Sequence, residues 1–237
     1  AKKHSFYSAV AVAGSLLITD VVSAPVLEAV LVTARKRPES MQDVPMAISA
    51  FGAQQLQANQ IDNITDLKKL TPNITINETS GLVAGAVQVF VRGIGNDPGF
   101  DQGVGIYVDD VYQSSSTGSL LEVYDVERIE VLKGPQGNLY GRNTIGGAIK
   151  YISREPSDEL EIGVKARVGT NSLTKLSGNV SGPIVGGSLF GGFGFSVTNS
   201  DGFQTNEFDG SEWDDRDTQA FRGTLLWKAS DTLSFKL

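Results

Sequence analysis

The sequence predicts an α+β domain followed by the first antiparallel strands of a transmembrane β-barrel. Up to about Pro156, short apolar runs of helical and strand character alternate with glycine-rich loops, which is typical of an α+β unit. From Leu160 to Val168, apolar and polar residues alternate without a break, as in a strand with one apolar and one polar face. The N-terminal residues have the pattern of an export signal, which indicates a protein that leaves the cytoplasm.

The charge and the residue composition exclude several classes of function. With 20 Lys and Arg against 27 Asp and Glu, the net charge is −7, whereas nucleic-acid binding requires a basic surface. We therefore expect no nucleic-acid partner. The chain has no Cys and a single His, His4, so its body lacks a thiol nucleophile, an imidazole base and a His/Cys metal site. An enzyme is the least expected class, and we predict no catalytic residues, no metal site and no cofactor.

Residues 1–24 are predicted to be a signal peptide. Lys2 and Lys3 precede an apolar stretch from Phe6 to Ile18, and Val22-Ser23-Ala24 supplies the small residues that suit signal peptidase. An N-terminal core helix is the alternative interpretation. A transmembrane helix is disfavoured because the stretch falls short of about 20 residues. If the protein spans a membrane, we expect it to do so with strands.

Short helices and strands follow, separated by turn and cap residues. Helices are expected from Gln54 to Gln60 and from Ile64 to Leu70. Asn63 is the predicted N-cap of the second helix, which Thr71-Pro72 ends. Strands are expected at Leu27 to Ala34, Met46 to Phe51, Val87 to Arg92, Gly105 to Asp109, Arg128 to Leu132 and Ala148 to Ile152.

The alternating strands continue to the C-terminus. Further runs extend from Thr174 to Gly182, from Leu189 to Val197 and from Phe221 to Trp227, and a fifth strand breaks off at Leu237. The runs, at about 9 to 11 residues, are long enough for a tilted strand to cross a bilayer. Soluble sandwiches also contain alternating strands, but Trp227 near a strand end is typical of a membrane interface.

The connections between these strands are of two kinds. They are expected at Thr170-Asn171, Pro183 to Gly187, Asn199 to Asp217 and Ala229 to Asp231. Short turns at one end and a long polar loop at the other match a membrane barrel. Four strands cannot close a barrel, and an open sheet in lipid leaves backbone groups unpaired. The chain is therefore predicted to be a fragment of a longer protein.

Several motifs occur in a fixed order along the chain. They are LEAVLVTARKRPESMQDVPMAISAF, DLKKLTPNITI, VRGIG, GVGIYVDDVY, DVERIEVLKGPQGNLYGRNTIGGAI and ISREPSDE. Together they resemble the plug domain of TonB-dependent outer-membrane receptors, and the resemblance covers Leu27 to Glu159 almost continuously. It implies a TonB box and linker at residues 25–45, a plug domain at residues 46–158, and the N-terminal part of a barrel of about 22 strands at residues 159–237.

The resemblance also implies a function and a location. Receptors of this kind lie in the bacterial outer membrane and take up a scarce nutrient, most often a ferric siderophore. The implied partners are the periplasmic TonB energy-coupling protein, outer-membrane lipid and a small-molecule ligand. The same architecture imports cobalamin, glycans or another chelate, and these alternatives stay open. A secreted β-rich binding or adhesion protein is the rival from a different class.

The resemblance assigns two sets of residues. The predicted TonB box is Leu27, Glu28, Ala29, Val30, Leu31, Val32, Thr33 and Ala34. The plug motif is Arg92, Gly93, Arg128, Glu130, Lys133, Gly134, Pro135, Gly137, Tyr140, Gly141 and Arg142. Unpaired backbone groups of the box would bind the coupling protein as an added strand, and Arg35-Lys36-Arg37 after it is expected to stay solvated. The alternative is that the box residues form the first strand of the plug sheet.

Three residues depart from the family pattern. Lys133 replaces the usual Arg, which weakens the expectation of bidentate pairing with a barrel carboxylate. Asn138 replaces the usual Thr, and Asp110 stands where Gly is common. None of these changes removes the motif.

The ligand is expected to bind two plug loops, residues 94–102 and 113–117, which are polar or glycine-rich. The candidate residues are Ile94, Asn96, Asp97, Phe100, Asp101, Gln102, Gln113, Ser114 and Ser115.

Three other patterns favour structural interpretations. The glycine-rich stretch from Gly134 to Gly147 has Arg142-Asn143 where a phosphate loop needs Lys and then Ser or Thr. The carboxylates of residues 207–217 lack the spacing of a calcium loop, which favours a solvated loop over a cation site. Asp109-Asp110 is interpreted as a polar strand end in preference to an acid–base pair.

Overall fold

The computed structural model describes residues 30–79, 86–95, 101–115, 124–210, 212–213, 215–230 and 232–237. The predicted signal peptide and the box residues Leu27, Glu28 and Ala29 lie outside these residues. Among the described residues, none of the helices has the length and apolar character needed to cross a bilayer.

The first part of the chain contains short strands and helices in alternation. In chain order they are β1 (Leu31–Val32), β2 (Glu39–Ser40), β3 (Ala47–Gly52), α1 (Ala53–Ala58), a 3₁₀ helix (Ile64–Lys69), β4 (Ile74–Thr79), β5 (Ala86–Val91), β6 (Ile94–Gly95), β7 (Val104–Val108), β8 (Val111–Tyr112), β9 (Val126–Lys133), α2 (Gly137–Tyr140) and β10 (Gly147–Ser153). The predicted α+β character is confirmed.

The second predicted helix is present as a 3₁₀ helix. Asn63 caps it as predicted, because its side-chain oxygen accepts from the Thr65 N–H at 2.9 Å. The Asp66 carboxylate accepts in return from the Asn63 N–H at 3.3 Å. The element has only six residues, and runs this short commonly close with the tighter i→i+3 hydrogen bonds.

A five-stranded sheet, which we call the central sheet, forms the middle of this part. Its strand order is β3-β9-β10-β7-β8, with β10 and β7 parallel and the other neighbours antiparallel. One face buries Ile129, Val131 and Ile149 in a core that includes Leu56 of α1 and Leu67 of the 3₁₀ helix. Because side chains alternate along a strand, Glu130 and Lys150 lie on the opposite face.

The second part of the chain forms a separate antiparallel sheet, which we call the wall sheet. Its elements, and the small hairpin in its long loop, are β11 (Glu161–Val168), β12 (Thr174–Val185), β13 (Leu189–Ser200), β14 (Gln204–Thr205), β15 (Glu212–Trp213), β16 (Arg216–Ser230) and β17 (Leu233–Lys236). The wall sheet has the order β11-β12-β13-β16-β17, so each strand pairs with the next long strand in the sequence. This up-and-down order is that of a membrane barrel.

The two faces of the wall sheet have the opposite polarity to those of a water-soluble sheet. Ile162 and Val164 on the outer face are 70% and 67% exposed. Lys175 and Ser196, on the face toward the central sheet, are buried. A soluble sandwich buries its apolar face, so this arrangement argues against the sandwich and for strands surrounded by lipid.

One predicted connection is wrong. The stretch from Pro183 to Gly187 was expected to be a turn, but β12 continues to Val185 and pairs with β13 through a register shift between Pro183 and Val185. A proline lacks the N–H of a regular ladder and is tolerated at such a bulge. The turn itself is confined to residues 186–188.

Candidate functional site

A row of neighbouring side chains crosses the central sheet on the face opposite to α1. In the strand register, Glu130 of β9 lies beside Lys150 of β10, and Lys150 lies beside Tyr107 of β7. Glu130 and Lys150 are 0% and 1% exposed. Buried charges are costly unless they are paired and hydrogen-bonded, so their partners identify the site.

Thr33 lies between the two buried charges and binds both. Its backbone N–H and its hydroxyl donate to Glu130 Oε1 at 2.8 and 3.2 Å. Lys150 Nζ donates to the Thr33 hydroxyl at 2.8 Å and to the Thr33 carbonyl oxygen at 3.0 Å. Arg128 Nε also donates to Glu130 Oε1, at 2.8 Å. The N-terminal chain therefore supplies hydrogen bonds to both charges that the sheet buries, while Glu130 Oε2 has no hydrogen-bond partner among the described residues.

Apolar contacts hold the same stretch of chain, residues 30–36, which we call the docked segment. Val32 and Ala34 are fully buried in a cluster with Leu132, Tyr140 and Ala148. The Tyr140 hydroxyl donates to the Ala34 carbonyl oxygen at 2.7 Å. Full burial of a Val side chain contributes about 1.5–3 kcal/mol, so the docked segment is bound by apolar burial as well as by hydrogen bonds.

Lys36 ends the docked segment with an ion pair. Its Nζ lies 2.9 Å from Asp110 Oδ1 and 4.5 Å from the centre of the Tyr140 ring. Lys150 Nζ lies 3.2 Å from the same Asp110 oxygen. One carboxylate therefore binds a cation of the docked segment and a cation of the central sheet.

The pKa values of this group reflect burial and charge. Burial raises the pKa of the Asp110 carboxyl, but the hydrogen bond from Lys36 and the charge of Lys150 outweigh burial and bring it below its ordinary value. Burial lowers the pKa of Lys150, and the charges of Glu130 and Asp110 oppose this only in part. Burial, with smaller contributions from the charges of Asp110 and Glu130, also raises the pKa of the Tyr140 hydroxyl.

The docked segment includes the C-terminal part of the predicted TonB box, from Val30 to Ala34. Leu31–Val32 pairs with Glu39–Ser40 in a separate two-stranded sheet. The alternative that these residues form a strand of the central sheet is therefore wrong. Lys36 is partly exposed, as expected, but its ammonium group is paired with Asp110, which the sequence did not predict.

The predicted plug-motif residues fall into three groups. Those that contact the docked segment are Arg128, Glu130 and Tyr140. Those near the β5–β6 turn are Arg92, Gly93, Lys133 and Gly134. In this second group, burial and the charge of Arg92 lower the pKa of Lys133. Those around α2 are Pro135, Gly137, Gly141 and the exposed Arg142.

Two residues of the site, Lys150 and Asp110, were not predicted as functional. Lys150 did leave a signal, because it is a lone charge within the apolar run from Ala148 to Ile152. Asp109-Asp110 forms the turn between β7 and β8, and the Asp109 carboxylate accepts from the Ser153 N–H at 2.9 Å. This contact supports the structural interpretation of Asp109 over an acid–base pair.

The β7–β8 hairpin lies between the predicted ligand loops and the docked segment. Asp101 and Gln102 precede β7, whereas Gln113, Ser114 and Ser115 follow β8. The turn of the hairpin, at the opposite end, contacts Lys36. Ile94, in β6, is exposed. The candidate ligand residues Asn96, Asp97 and Phe100 lie outside the described residues.

Contacts with the wall sheet show at which end of the molecule the docked segment lies. Lys236 of β17 lies 3.9 Å from Asp109, next to the ion pair of the docked segment. The Lys228 N–H donates to Ser188 O at 2.8 Å, so the short turn at residues 186–188 is at this end. The longer connection, residues 201–215, leaves β13 at the opposite end. The docked segment therefore lies at the end opposite to the long connection, whereas the short turn between β11 and β12 lies beside the long connection, where the Asp201 N–H donates to Asn171 O at 2.9 Å.

At the other end, Asp62 joins the first part of the chain to the wall sheet. Its carboxylate binds Arg167 of β11 and, at 3.0 Å, Lys175 Nζ of β12. Burial raises the pKa of Asp62, but the contacts with Arg167 and Lys175 outweigh it and hold the pKa below its ordinary value. Next to this contact, a cavity of about 440 Å³ separates α1 from β11 and β12.

No metal centre is formed by the part of the chain that the structure describes, since it contains no group of three His, Asp or Glu side chains that could hold an ion. Asp214, in the acidic loop of residues 207–217, lies outside the described residues.

The family model that matches the chain is the TonB-dependent Receptor Plug Domain, over residues 40–148. Among curated relatives, the pesticin receptor of Yersinia pestis is 29% identical over 147 residues, covering 62% of this chain and 21% of the relative. The vitamin B12 transporter BtuB of Vibrio vulnificus is 29% identical over 158 residues, covering 65% and 25%. The chain thus spans less than a third of the length of the curated relatives it matches.

Solved structures share the fold. The ferric yersiniabactin uptake receptor FyuA from Yersinia pestis superposes with a TM-score of 0.68 at 27% identity, covering 76% of this chain and 28% of that chain. The pyoverdine outer membrane receptor FpvA from Pseudomonas aeruginosa gives a TM-score of 0.71 at 20% identity, covering 87% and 29%. The predicted fold class, a plug domain followed by antiparallel barrel strands, is confirmed.

Proposed function

Since this chain carries the plug domain of a TonB-dependent outer-membrane receptor, we propose that it belongs to an active importer whose docked segment is part of the TonB box. The observation that carries this proposal is the position of the docked segment. It lies at the end opposite to the long connection, and in outer-membrane barrels the longer loops face the outside while the other end faces the periplasm. A periplasmic energy-coupling protein would meet the docked segment there.

The contacts of the docked segment suit a reversible partner. Leu31 is 56% exposed while its neighbour Val32 is fully buried, so the segment presents one side to solvent and one to the plug. Among the described residues of the segment, Leu31–Val32 pairs with Glu39–Ser40, and Val30 O accepts from the Met41 N–H at 2.9 Å. A coupling protein that adds a strand gains backbone hydrogen bonds and the outward side chains. Its pull would then be transmitted through Thr33 to Glu130 and Lys150.

We further propose residues 46–158 as the plug and residues 159–237 as the opening part of the barrel, with residues 1–24 as the signal peptide. The apolar outer face of the wall sheet supports contact with outer-membrane lipid. The predicted ligand loops begin at the end of the β7–β8 hairpin remote from the docked segment, which is the end expected to face the outside.

A ferric siderophore is the proposed ligand. FyuA, a ferric yersiniabactin uptake receptor, is 27% identical to this chain over 76% of its length. An iron-regulated outer membrane virulence protein of Vibrio cholerae is 29% identical over 144 residues. Vitamin B12 is the second candidate, because the BtuB transporter of Vibrio vulnificus is equally identical at 29%. The relatives are named as receptors and transporters, which supports a role without catalysis.

The proposal is tested by replacing Leu31 with proline in the complete receptor. Proline removes a backbone donor and fixes φ, so strand addition by the coupling protein should fail. Uptake of radiolabelled iron, presented as catecholate, hydroxamate and phenolate complexes, should be lost while binding of the same complex to cells is retained. Leu31→Ala, which keeps the N–H and loses only one outward side chain, is the matched control and should retain most of the uptake.

Two outcomes would contradict the proposal. Normal uptake by the correctly inserted Leu31→Pro receptor would refute the box assignment. Uptake of cyanocobalamin, with no iron complex taken up, would leave the receptor assignment in place and replace the siderophore by vitamin B12.

A further inference from the structure

We propose that Asp110 is a positioning residue whose ion pair with Lys36 keeps the docked segment bound to the plug, and so sets how often that segment is free. The biological meaning of this inference rests on the proposed function, because a free segment matters only if a partner captures it. The inference itself concerns the binding of residues 30–36 to the plug, which is measurable without any partner.

Both residues of the ion pair have unfavourable backbone conformations. Lys36 has a φ of 61° and Asp110 a φ of 68°, in the left-handed region that favours glycine. Strain of this kind persists only where the surrounding structure compensates for it, and it is common at switch regions. Here the two residues face one another across a 2.9 Å contact, so the ion pair joins two tight turns, one closed by the Lys36 N–H to Thr33 O hydrogen bond at 3.0 Å and the other by the β7–β8 hairpin.

The neighbours of Asp110 fix the direction of its side chain. The preceding residue, Asp109, is anchored by the Ser153 N–H at 2.9 Å, and Gln113 N–H donates to Ile106 O at 2.8 Å to extend the hairpin. Lys36 Nζ is positioned from the other side by the Tyr140 ring at 4.5 Å. The two charged groups are thus held toward each other by contacts that do not depend on their own attraction.

Opening this ion pair does not leave Asp110 without a counter-ion. Lys150 Nζ lies 3.2 Å from the same Asp110 oxygen and belongs to the central sheet. When Lys36 leaves, the Asp110 carboxylate retains Lys150, and Lys36 enters water as an ordinary solvated lysine. Because the Asp110 side chain is 54% exposed, the contribution of the ion pair is modest, which is what a contact that opens and closes requires.

The test measures the mobility of the docked segment directly. These 237 residues contain no cysteine, so Leu31→Cys gives their single spin-label site, at an exposed position of the docked segment; any cysteine in the rest of the receptor is first replaced by serine. In the complete receptor in outer-membrane vesicles, Asp110→Gly should raise the ratio of mobile to immobile label roughly two- to fivefold, as expected for loss of a partly exposed ion pair. Hydrogen-exchange protection of residues 104–112 should stay the same or increase, because glycine relieves the strain at φ 68°.

Two further variants separate charge from structure. Asparagine tolerates the same backbone conformation as aspartate but carries no charge. Asp110→Asn should therefore mobilise the label as Asp110→Gly does. Asp158→Asn removes a comparable exposed ion pair, to Lys228 at 3.1 Å, and should leave the label unchanged. Added salt should mobilise the label in the parent receptor, since it screens exposed charges, and should have little effect in Asp110→Asn.

The result that overturns the inference is an unchanged label spectrum in both Asp110 variants with the hairpin intact. Equal mobilisation of the label in Asp110→Gly, Asp110→Asn and Asp158→Asn would also overturn it, because the effect would not be specific to Asp110. If the Asp110 variants mobilise the label but the purified periplasmic domain of the coupling protein binds none of the corresponding receptors that keep Leu31 and carry no label, this inference stands and the box assignment fails.

Discussion

Replacing Thr33 with valine removes the hydroxyl that links the two buried charges of the site. Valine has the same branched shape, so the packing on either side of residue 33 is retained. The backbone contacts also remain, from the Thr33 N–H to Glu130 at 2.8 Å and from Lys150 to the Thr33 carbonyl at 3.0 Å. The change therefore isolates the three hydrogen bonds of the hydroxyl, to Glu130 at 3.2 Å, from Lys150 at 2.8 Å and from Arg128 Nη2 at 3.4 Å.

The size of the effect follows from what each charge retains. A hydrogen bond to a charged group contributes about 1.5–3 kcal/mol. Glu130 keeps Arg128, and Lys150 keeps Asp110, so we expect the loss of the three hydroxyl contacts to cost about as much as one such bond. Since 1.4 kcal/mol corresponds to a tenfold change in an equilibrium constant, the docked segment should open about 10 to 100 times more often.

Hydrogen exchange measures this opening, because the Thr33 amide itself is hydrogen-bonded to Glu130. In the complete receptor, amides of residues 30–36 should exchange about 10 to 100 times faster in Thr33→Val than in the parent. Amides of β9 and β10 should be unaffected. Thr205→Val, at an exposed position of β14, is the matched control. Exchange of the docked segment within a factor of about two of the parent would refute the reasoning.

Two further predictions concern the interior of the plug and its contact with the wall sheet. A Cβ at Gly147 would lie 2.2 Å from the Leu132 carbonyl oxygen, so Gly147→Ala should destabilise the plug by about 3 kcal/mol or more and make it sensitive to trypsin. Gly137→Ala, where nothing lies within 4 Å of the added carbon, should stay resistant. Because the pKa of Asp62 lies below its ordinary 3.8 in the folded protein, its ion pairs should stabilise residues 53–69 at neutral pH and be lost as the pH falls below 3.8. In the parent, hydrogen-exchange protection of residues 53–69, corrected for the pH dependence of the intrinsic rates, should fall over this pH range. A fall of equal size in Asp62→Asn would contradict the prediction.

Local signals in the sequence were sufficient for much of the fold. The cap at Asn63 was predictable because its partners are two and three residues away. The strand from Leu160 to Val168 was predictable because alternation is a property of neighbouring residues. At Pro183 the same local reasoning failed, because the pairing of β12 with β13 continued past a residue that usually ends a strand.

The candidate site was less predictable, since its contacts join distant parts of the chain. The resemblance to a family gave Glu130, Tyr140 and the box residues. It did not show that Thr33 reaches Lys150, 117 positions away, or that Asp110 pairs with Lys36, 74 positions away. Such pairs depend on the register of the central sheet and on the path of the docked segment across it, which no pattern of adjacent residues specifies.

The wall sheet has a practical consequence for handling this protein. β11 and β17 are its two outer strands, so each leaves one side of its backbone free to pair with another chain. Combined with an apolar outer face, free strand edges promote stacking of copies into insoluble aggregates. Expression of these residues alone in a bacterial cytoplasm should therefore yield inclusion bodies. Biochemical work is better begun from the complete gene product refolded in detergent.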